Sequence, residues 1–329
     1  MPTVYAAMRN TLLVANEEGG WKAEHRLGDH ELQCLAVSPD TPERVFVGTF
    51  EGGLLRSTDN GRSFERVGES SDSDRVMSVT VSPHDPDEVW VGTEPSAVYR
   101  SRDGGDSWAG VEGITDLPSE PEWYFPPRPD THHVRWIEID PASPKRVYVG
   151  IELGALVISD DAGETWRERP EGARRDNHSL ATHPEERGRV YSAAGDGYAE
   201  STDGGESWSH PQAGLDHRYC WSVCPHPTDP GTVLVSSASG ARSAHDVETA
   251  AAFVYRRRDG QWERLDDRGL PMGEGVVRAV LAAREGDFYA ATNRGLFRSG
   301  DVGDRWERLP IEWAEAFEKQ TPRGLAILP

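Results

Sequence analysis

One eight-residue phrase recurs along the chain and constrains the fold more than any other feature. Ser57-Thr-Asp59-Asn-Gly61-Arg-Ser-Phe64 returns as Ser101…Asp103…Gly105…Trp108 and as Ser159…Asp161…Gly163…Trp166. It returns again as Ser201…Asp203…Gly205…Trp208 and as Ser299…Asp301…Gly303…Trp306. Two worn copies are Glu18-Gly19-Gly20-Trp21 and Arg258-Asp259-Gly260-Gln-Trp262. The chemistry is that of a tight hairpin. Asp can bond the amides of its own turn, Gly takes a positive φ, and the aromatic ring fills the space beneath. A period of about 44 residues is that of one four-stranded propeller blade.

A second signal precedes each copy. Leu35-Ala-Val37-Ser-Pro39 leads to Arg44-Val-Phe-Val-Gly48, and Val79-Thr-Val81-Ser-Pro83 to Glu88-Val-Trp-Val-Gly92. Ile137-Glu-Ile139-Asp-Pro141 leads to Arg146-Val-Tyr-Val-Gly150, and Leu180…Pro184 and Trp221…Pro225 repeat the theme. Short β-branched and aromatic runs between Gly, Pro and Asp read as four strands per unit. Six full units cover residues 31–67, 74–111, 132–169, 177–210, 217–265 and 275–309. Residues 3–27 lack a first strand, and residues 323–329 are nothing but a first strand. Gly324-Leu325-Ala-Ile327-Leu-Pro329 matches Cys34-Leu35-Ala-Val37-Ser-Pro39 position for position. The expected fold is therefore all-β: one seven-bladed β-propeller of four-stranded antiparallel blades. Strand 323–329 completes the N-terminal blade and removes the open edges.

The repeated phrase resembles the Asp-box, or bacterial neuraminidase repeat, over nearly the whole chain. The resemblance implies a propeller like those of sialidases, sortilin-type domains and photosystem assembly factors. In those families the box is structural, so it implies no catalytic role for its own residues.

Charge excludes some partners. The chain has 35 basic and 56 acidic residues, a formal net charge of −21. Neither phosphate-held nucleic acid nor an anionic membrane surface suits it. All the basic residues but Lys22, Lys145 and Lys319 are arginine. Acid-rich, lysine-poor composition fits solubility at high salt, where screening removes self-repulsion; GC-rich codon usage is the rival explanation. No apolar run is long enough to span a bilayer, and Met1–Val14 lacks signal-peptide character. Cys34, Cys220 and Cys224 cannot all pair, which fits a reducing cytoplasm.

Function is expected on one face. If each first strand runs top to bottom, the Asp turns lie at the bottom. The insertions at 112–131, 236–252 and 310–322 then all fall on top, as do the ends of the inner strands. Six residues before the closing Pro, or its equivalent, stand Gln33, Met77, Arg135, His178, Tyr219, Arg278 and Arg323. Two residues earlier stand Glu31, Arg75, His133, Asp176 and His217, and Glu51, Glu94, Glu152, Asp196 and Asn293 occupy adjacent turns. These residues are expected to ring the mouth of the central channel.

Arg135, Arg278 and Arg323 offer forked donors to a carboxylate, sulfate or phosphate; alternatively each pairs with a neighbouring acid. His133, His178 and His217 could hold a divalent metal, with Asp176 or Glu152 as oxygen ligand. His178, Tyr219 and His133, with Asp176 and Glu152, are equally candidates for acid–base catalysis. Trp123, Tyr124 and Phe125 form either a sugar-stacking lid or an apolar cover. Beside sialidases, one could nominate the three arginines, Tyr219 with Glu152 or Glu138, and Asp176. The Phe/Tyr-Arg-Ile-Pro segment of that family is absent, however, and the blade count is seven rather than six. Uronate polysaccharide lyases share only the mixture of His, Tyr and Arg. The expected partner is an anionic small molecule or carbohydrate, turned over by a glycosyl hydrolase- or lyase-like enzyme or bound without turnover by a ligand sensor, or else a protein segment held by a non-catalytic scaffold. The only cofactor implied is a divalent metal.

Overall fold

A computed structural model describes residues 2–17, 19–68 and 73–329; Glu18 of the worn turn copy lies outside the described residues. The strands form seven antiparallel sheets, the blades of a propeller. Blade one contains Leu32–Ser38, Thr41–Thr49, Leu54–Ser57 and Glu65–Val67. Blades two to six begin at Val76, Val134, Asn177, Tyr219 and Val280. In blades three and four the outermost strand shrinks to single bridges, Ile158 to Arg167 and Glu200 to Ser209. Blade seven is the closure: Pro322–Leu328 pairs antiparallel with Thr3–Met8, from Thr3 opposite Leu328 to Met8 opposite Pro322. The ring is thus sealed by hydrogen bonds between the two ends of the chain.

The repeated turns fold as their chemistry requires. In the turn at Ser101, the serine Oγ donates to Asp103 Oδ1 at 2.8 Å and accepts the Gly105 N–H at 2.8 Å. Asp103 Oδ1 also accepts the Ser107 N–H at 2.8 Å. Gly105 has φ +94°, and Trp108 Nε1 donates to its carbonyl at 3.0 Å. These contacts hold Asp103 ionised, its pKa lowered to about 2 chiefly by the Ser107 hydroxyl. Between blades, apolar side chains from facing sheets interdigitate; Trp90, Val134, Ile137 and Val149 share one such cluster. No described helix is long and apolar enough to cross a membrane.

One irregularity repeats and positions the site. The pairing of first and second strands slips between Leu32 and Cys34, Val76 and Ser78, and Val134 and Trp136. It slips again between Asn177 and Ser179, and between Cys220 and Ser222. In the closing blade, Gly324 and Pro322 are paired while Arg323 is skipped. A bulge leaves one residue unpaired and re-aims its side chain. The bulged residues are Gln33, Met77, Arg135, His178, Trp221 and Arg323.

This corrects the expected alignment in blade five. The bulge equivalent to His178 is Trp221, not Tyr219, and the residue two positions earlier is Tyr219, not His217. The inner strand there runs to His226, and His226-Pro227 corresponds to His183-Pro184. Counting back from Pro225 instead displaced the register by two.

Candidate functional site

At the channel mouth the inner-strand ends and two insertions enclose a cavity of about 710 Å³. Glu31, Gln33, Met77, His133, Arg135, Asp176, Tyr219 and Arg323 line it, with Glu152 from a blade-three turn. Below it is a second cavity of about 430 Å³, bordered by Gln33, Arg135, His178, Trp221 and Arg323. These residues separate mouth from lower channel.

Trp221 is the centre of this floor, and sequence reasoning missed it. The Arg278 guanidinium lies 3.7 Å from its ring centroid and that of Arg135 4.9 Å. The His178 ring lies 4.5 Å away and the His245 ring 4.4 Å. An indole face attracts cations, so Trp221 gathers two arginines that would otherwise repel each other.

Arg278 is fully buried. Its Nη1 donates to the Pro322 carbonyl at 2.7 Å and its Nε to His245 Nδ1 at 3.1 Å. Its Nη2 has no hydrogen-bond partner, and among the described residues no carboxylate pairs with it. Burial, then the charges of Arg323 and Arg135, push its pKa well below the ordinary arginine range. Arg135 donates to the Met77 carbonyl, and its Nε, unbonded, stands 3.7 Å from Glu152. Arg323 faces Glu31 at 3.8 Å with its Nε unbonded; burial and Arg135 lower its pKa to about 10.

His245 comes from the short helix Ala241–His245 in the blade-five insertion. Because Arg278 donates to Nδ1, that nitrogen carries the lone pair and the ring proton is on Nε2. Nε2 is 3.2 Å from the Tyr219 hydroxyl and donates to it. The phenol therefore keeps its own O–H to offer elsewhere, and Tyr219 borders the cavity. Burial and the Arg278 charge hold His245 well below the ordinary imidazole pKa, that is, neutral. Burial, then Glu152 and Asp176, push Tyr219 up, so it is a proton donor and not a phenolate.

His133 is buried, its Nε2 2.9 Å from Glu152 and its Nδ1 3.4 Å from Glu94. Burial opposes its charge, but the two carboxylates outweigh it and raise the pKa. Glu152 is correspondingly held well below the usual carboxylate range: burial raises it, and His133 more than reverses this. Asp176 is raised, mainly by burial. Glu94, also buried, receives Arg128 in a two-pronged contact and Arg75 at 3.1 Å.

Two expectations need correction. His217 does not join His133 and His178: its Nδ1 bonds the Tyr255 hydroxyl at 2.6 Å and its ring stacks on Phe253 at 4.2 Å. The aromatic triplet is not one lid. Trp123 is buried in the cluster between blades two and three, its Nε1 bonded to Ser119. Tyr124 is exposed beside Arg175, and Phe125 alone reaches the cavity, edge-on to His133.

No family model matches the chain. Solved structures similar to it include an ancestral GH74 enzyme, with TM-score 0.65 and 18% identity over 84% of this chain and 38% of that one. The GH74 enzyme of Niastella koreensis gives TM-score 0.65 and 16% identity over 92% of this chain and 53% of that one. The chain thus spans about half or less of the length of these enzymes. YCF48 from Cyanidioschyzon merolae gives TM-score 0.57 and 16% identity over 85% of this chain and 84% of that one. A YCF48 bound to D1 peptide is also similar, with TM-score 0.59 and 17% identity over 85% of this chain and 82% of that one. At such identities the likeness establishes the propeller fold alone.

Proposed function

We propose that the channel mouth binds an anionic small molecule or carbohydrate-like acid, held by Arg135 and Arg323 at the cavity wall and by the buried charge of Arg278 stacked on Trp221. The observation that carries this reading is Arg278, a fully buried guanidinium with an unbonded Nη2 and no carboxylate partner among the described residues. An uncompensated buried charge costs several kcal/mol, and a ligand carboxylate or sulfate is the missing counter-charge. The volume suits a sugar acid or a short oligosaccharide end. Tyr219, which borders the cavity and keeps its O–H, is the proton donor of this site, as a glycosyl hydrolase- or lyase-like enzyme needs. His133, engaged by two carboxylates, serves as a counter-ion. Three buried free thiols support a reducing, cytoplasmic setting.

The test is thermal unfolding at low ionic strength with galacturonate, glucuronate and uncharged galactose. A bound acid at a hundredfold its Kd stabilises by about 2.7 kcal/mol. Arg278→Met should weaken that binding at least about 30-fold, because losing one partner of a buried charged contact costs about 2–5 kcal/mol. Equal stabilisation by galactose, or by the acids in Arg278→Met, would defeat the reading.

A second reading has its own support. The YCF48 structures match along most of their length, and one is bound to D1 peptide. The same arginines would then hold a carboxylate of an extended protein segment on a non-catalytic scaffold. Acidic peptides ending in a free or an amidated C-terminus, run in the same titration, separate the two.

A further inference from the structure

His178 presents an unusual vacancy of partners. Its ring is buried, and Nδ1 lies 2.7 Å from the Cys220 carbonyl. Nδ1 therefore donates, and the neutral ring keeps its lone pair on Nε2. That nitrogen is buried without a hydrogen-bond partner. It faces Asp176 Oδ1 at 3.7 Å and Glu152 Oε1 at 3.9 Å. Charge-assisted hydrogen bonds close to about 2.7–2.9 Å, so these are not such bonds. Three electron-rich atoms converge instead, all within 4.8 Å of one another. A cation with ligand bonds of about 2.0–2.2 Å fits between them after a small contraction.

Each donor is held from behind, as ligands to metals are. Cys220 fixes the His178 ring; His133 holds the other oxygen of Glu152; the Leu153 N–H reaches Asp176 Oδ1 at 3.0 Å. Gly195 makes room for Asp176, because a Cβ there would stand 1.9 Å from its Oδ2. Arg135 approaches Glu152 Oε2, not the oxygen that faces His178.

We propose that Glu152, Asp176 and His178 bind one divalent cation of the Mn²⁺ or Zn²⁺ class. One imidazole nitrogen with two carboxylate oxygens is a donor set for those ions, and its two negative charges match theirs. Glu152 and Asp176 both border the mouth, so the ion's remaining coordination positions open toward the ligand cavity. The cation binds whether or not the mouth takes an anion.

Chelator-treated protein, with no added anion other than buffer, is titrated with Mn²⁺ followed by electron paramagnetic resonance, and with Zn²⁺ by calorimetry. One equivalent should bind. Asp176→Asn and His178→Gln should each weaken binding about 100-fold, and Gly195→Ala about 10-fold, with all ligands retained. In the native protein, Mn²⁺ should broaden the His178 ring resonances and spare those of His84 and His226. If His178→Gln fails to fold by circular dichroism, Gly195→Ala and the native-protein broadening decide. Substoichiometric binding, undiminished affinity in the variants, or broadening centred elsewhere overturns the proposal.

Discussion

Replacing Glu94 by Gln should destabilise the protein by about 3 kcal/mol at neutral pH. Glu94 is completely buried at a blade-two turn, where it meets Arg128, Arg75 and His133. Two routes give the magnitude. Burial raises its pKa, but the His133 and Arg128 contacts more than offset this and lower it from 4.5 to about 2. Ionisation is thus favoured in the folded state by about 3 kcal/mol. Independently, removing one member of a buried ion pair costs about 3–5 kcal/mol. Arg75 and Arg128 are partly solvated, which selects the lower end. Because the folded pKa is the depressed one, this stability is present above the unfolded value near 4.5 and is lost as pH falls through about 2. Urea unfolding of both proteins, followed by tryptophan fluorescence between pH 2.5 and 7, should show the gap narrowing over that window. A difference below about 1 kcal/mol at pH 7, or one that does not vary with pH, would refute the reasoning. The change also reaches the mouth. Arg128 lies over Phe50 and Phe125, and Phe125 packs on His133, so losing the Arg128 contact frees that rim.

The His245 ring should stay neutral, with its proton on Nε2, from pH 8 to pH 5; long-range ¹⁵N–¹H spectra report the tautomer, and Arg278→Met should let the ring titrate. His217→Ala should leave galacturonate and Mn²⁺ titrations unchanged, since its ring is engaged by Tyr255 and Phe253. Amide exchange in Pro322–Leu328 should slow when galacturonate binds, read by mass spectrometry, and Arg323→Met should remove the slowing.

The fold was legible because a repeat reports its own period, and the two incomplete ends were complementary: Gly324–Pro329 carries the residues that residues 3–27 lack. The rim was legible in part for the same reason, since equal offsets along equivalent strands lead to equivalent places. The failures are local. Blade five carries Pro225 and Pro227 two residues apart. Pro225 aligns with no closing proline of the other blades, and an offset taken from it falls on His217 and passes over Trp221. The His-Pro pair shared with His183-Pro184 was the available signal. His245 lay in an insertion with no counterpart in other blades, so no repeat could position it. Trp123 looked like a lid because its neighbours are Pro-rich. The turn at Glu120–Glu122 instead directs it into the core.

The closing strand and the candidate site are one mechanical element. Arg323 is raised into the channel by the skipped pairing at the very seam where the chain's ends join. The adjacent Pro322 carbonyl accepts from Arg278 in blade six. Without an anion, Arg323 and Arg135 at the mouth and the buried Arg278 repel one another, which opposes closure of the ring. An anion between them reverses the sign of that interaction and ties blade seven to blades three and six. The gain is therefore concentrated on the seam, where a propeller with no covalent closure has least redundancy. The same arrangement explains why a net charge of −21 does not neutralise the mouth. Glu31 stands 3.8 Å from Arg323 and Glu152 3.7 Å from Arg135, beyond hydrogen-bond length, and Arg278 has Trp221 in place of an acid. An indole holds a guanidinium by its face: Arg278 bonds His245 through Nε and Pro322 through Nη1 and still keeps Nη2 unbonded, which a two-pronged carboxylate partner would not leave.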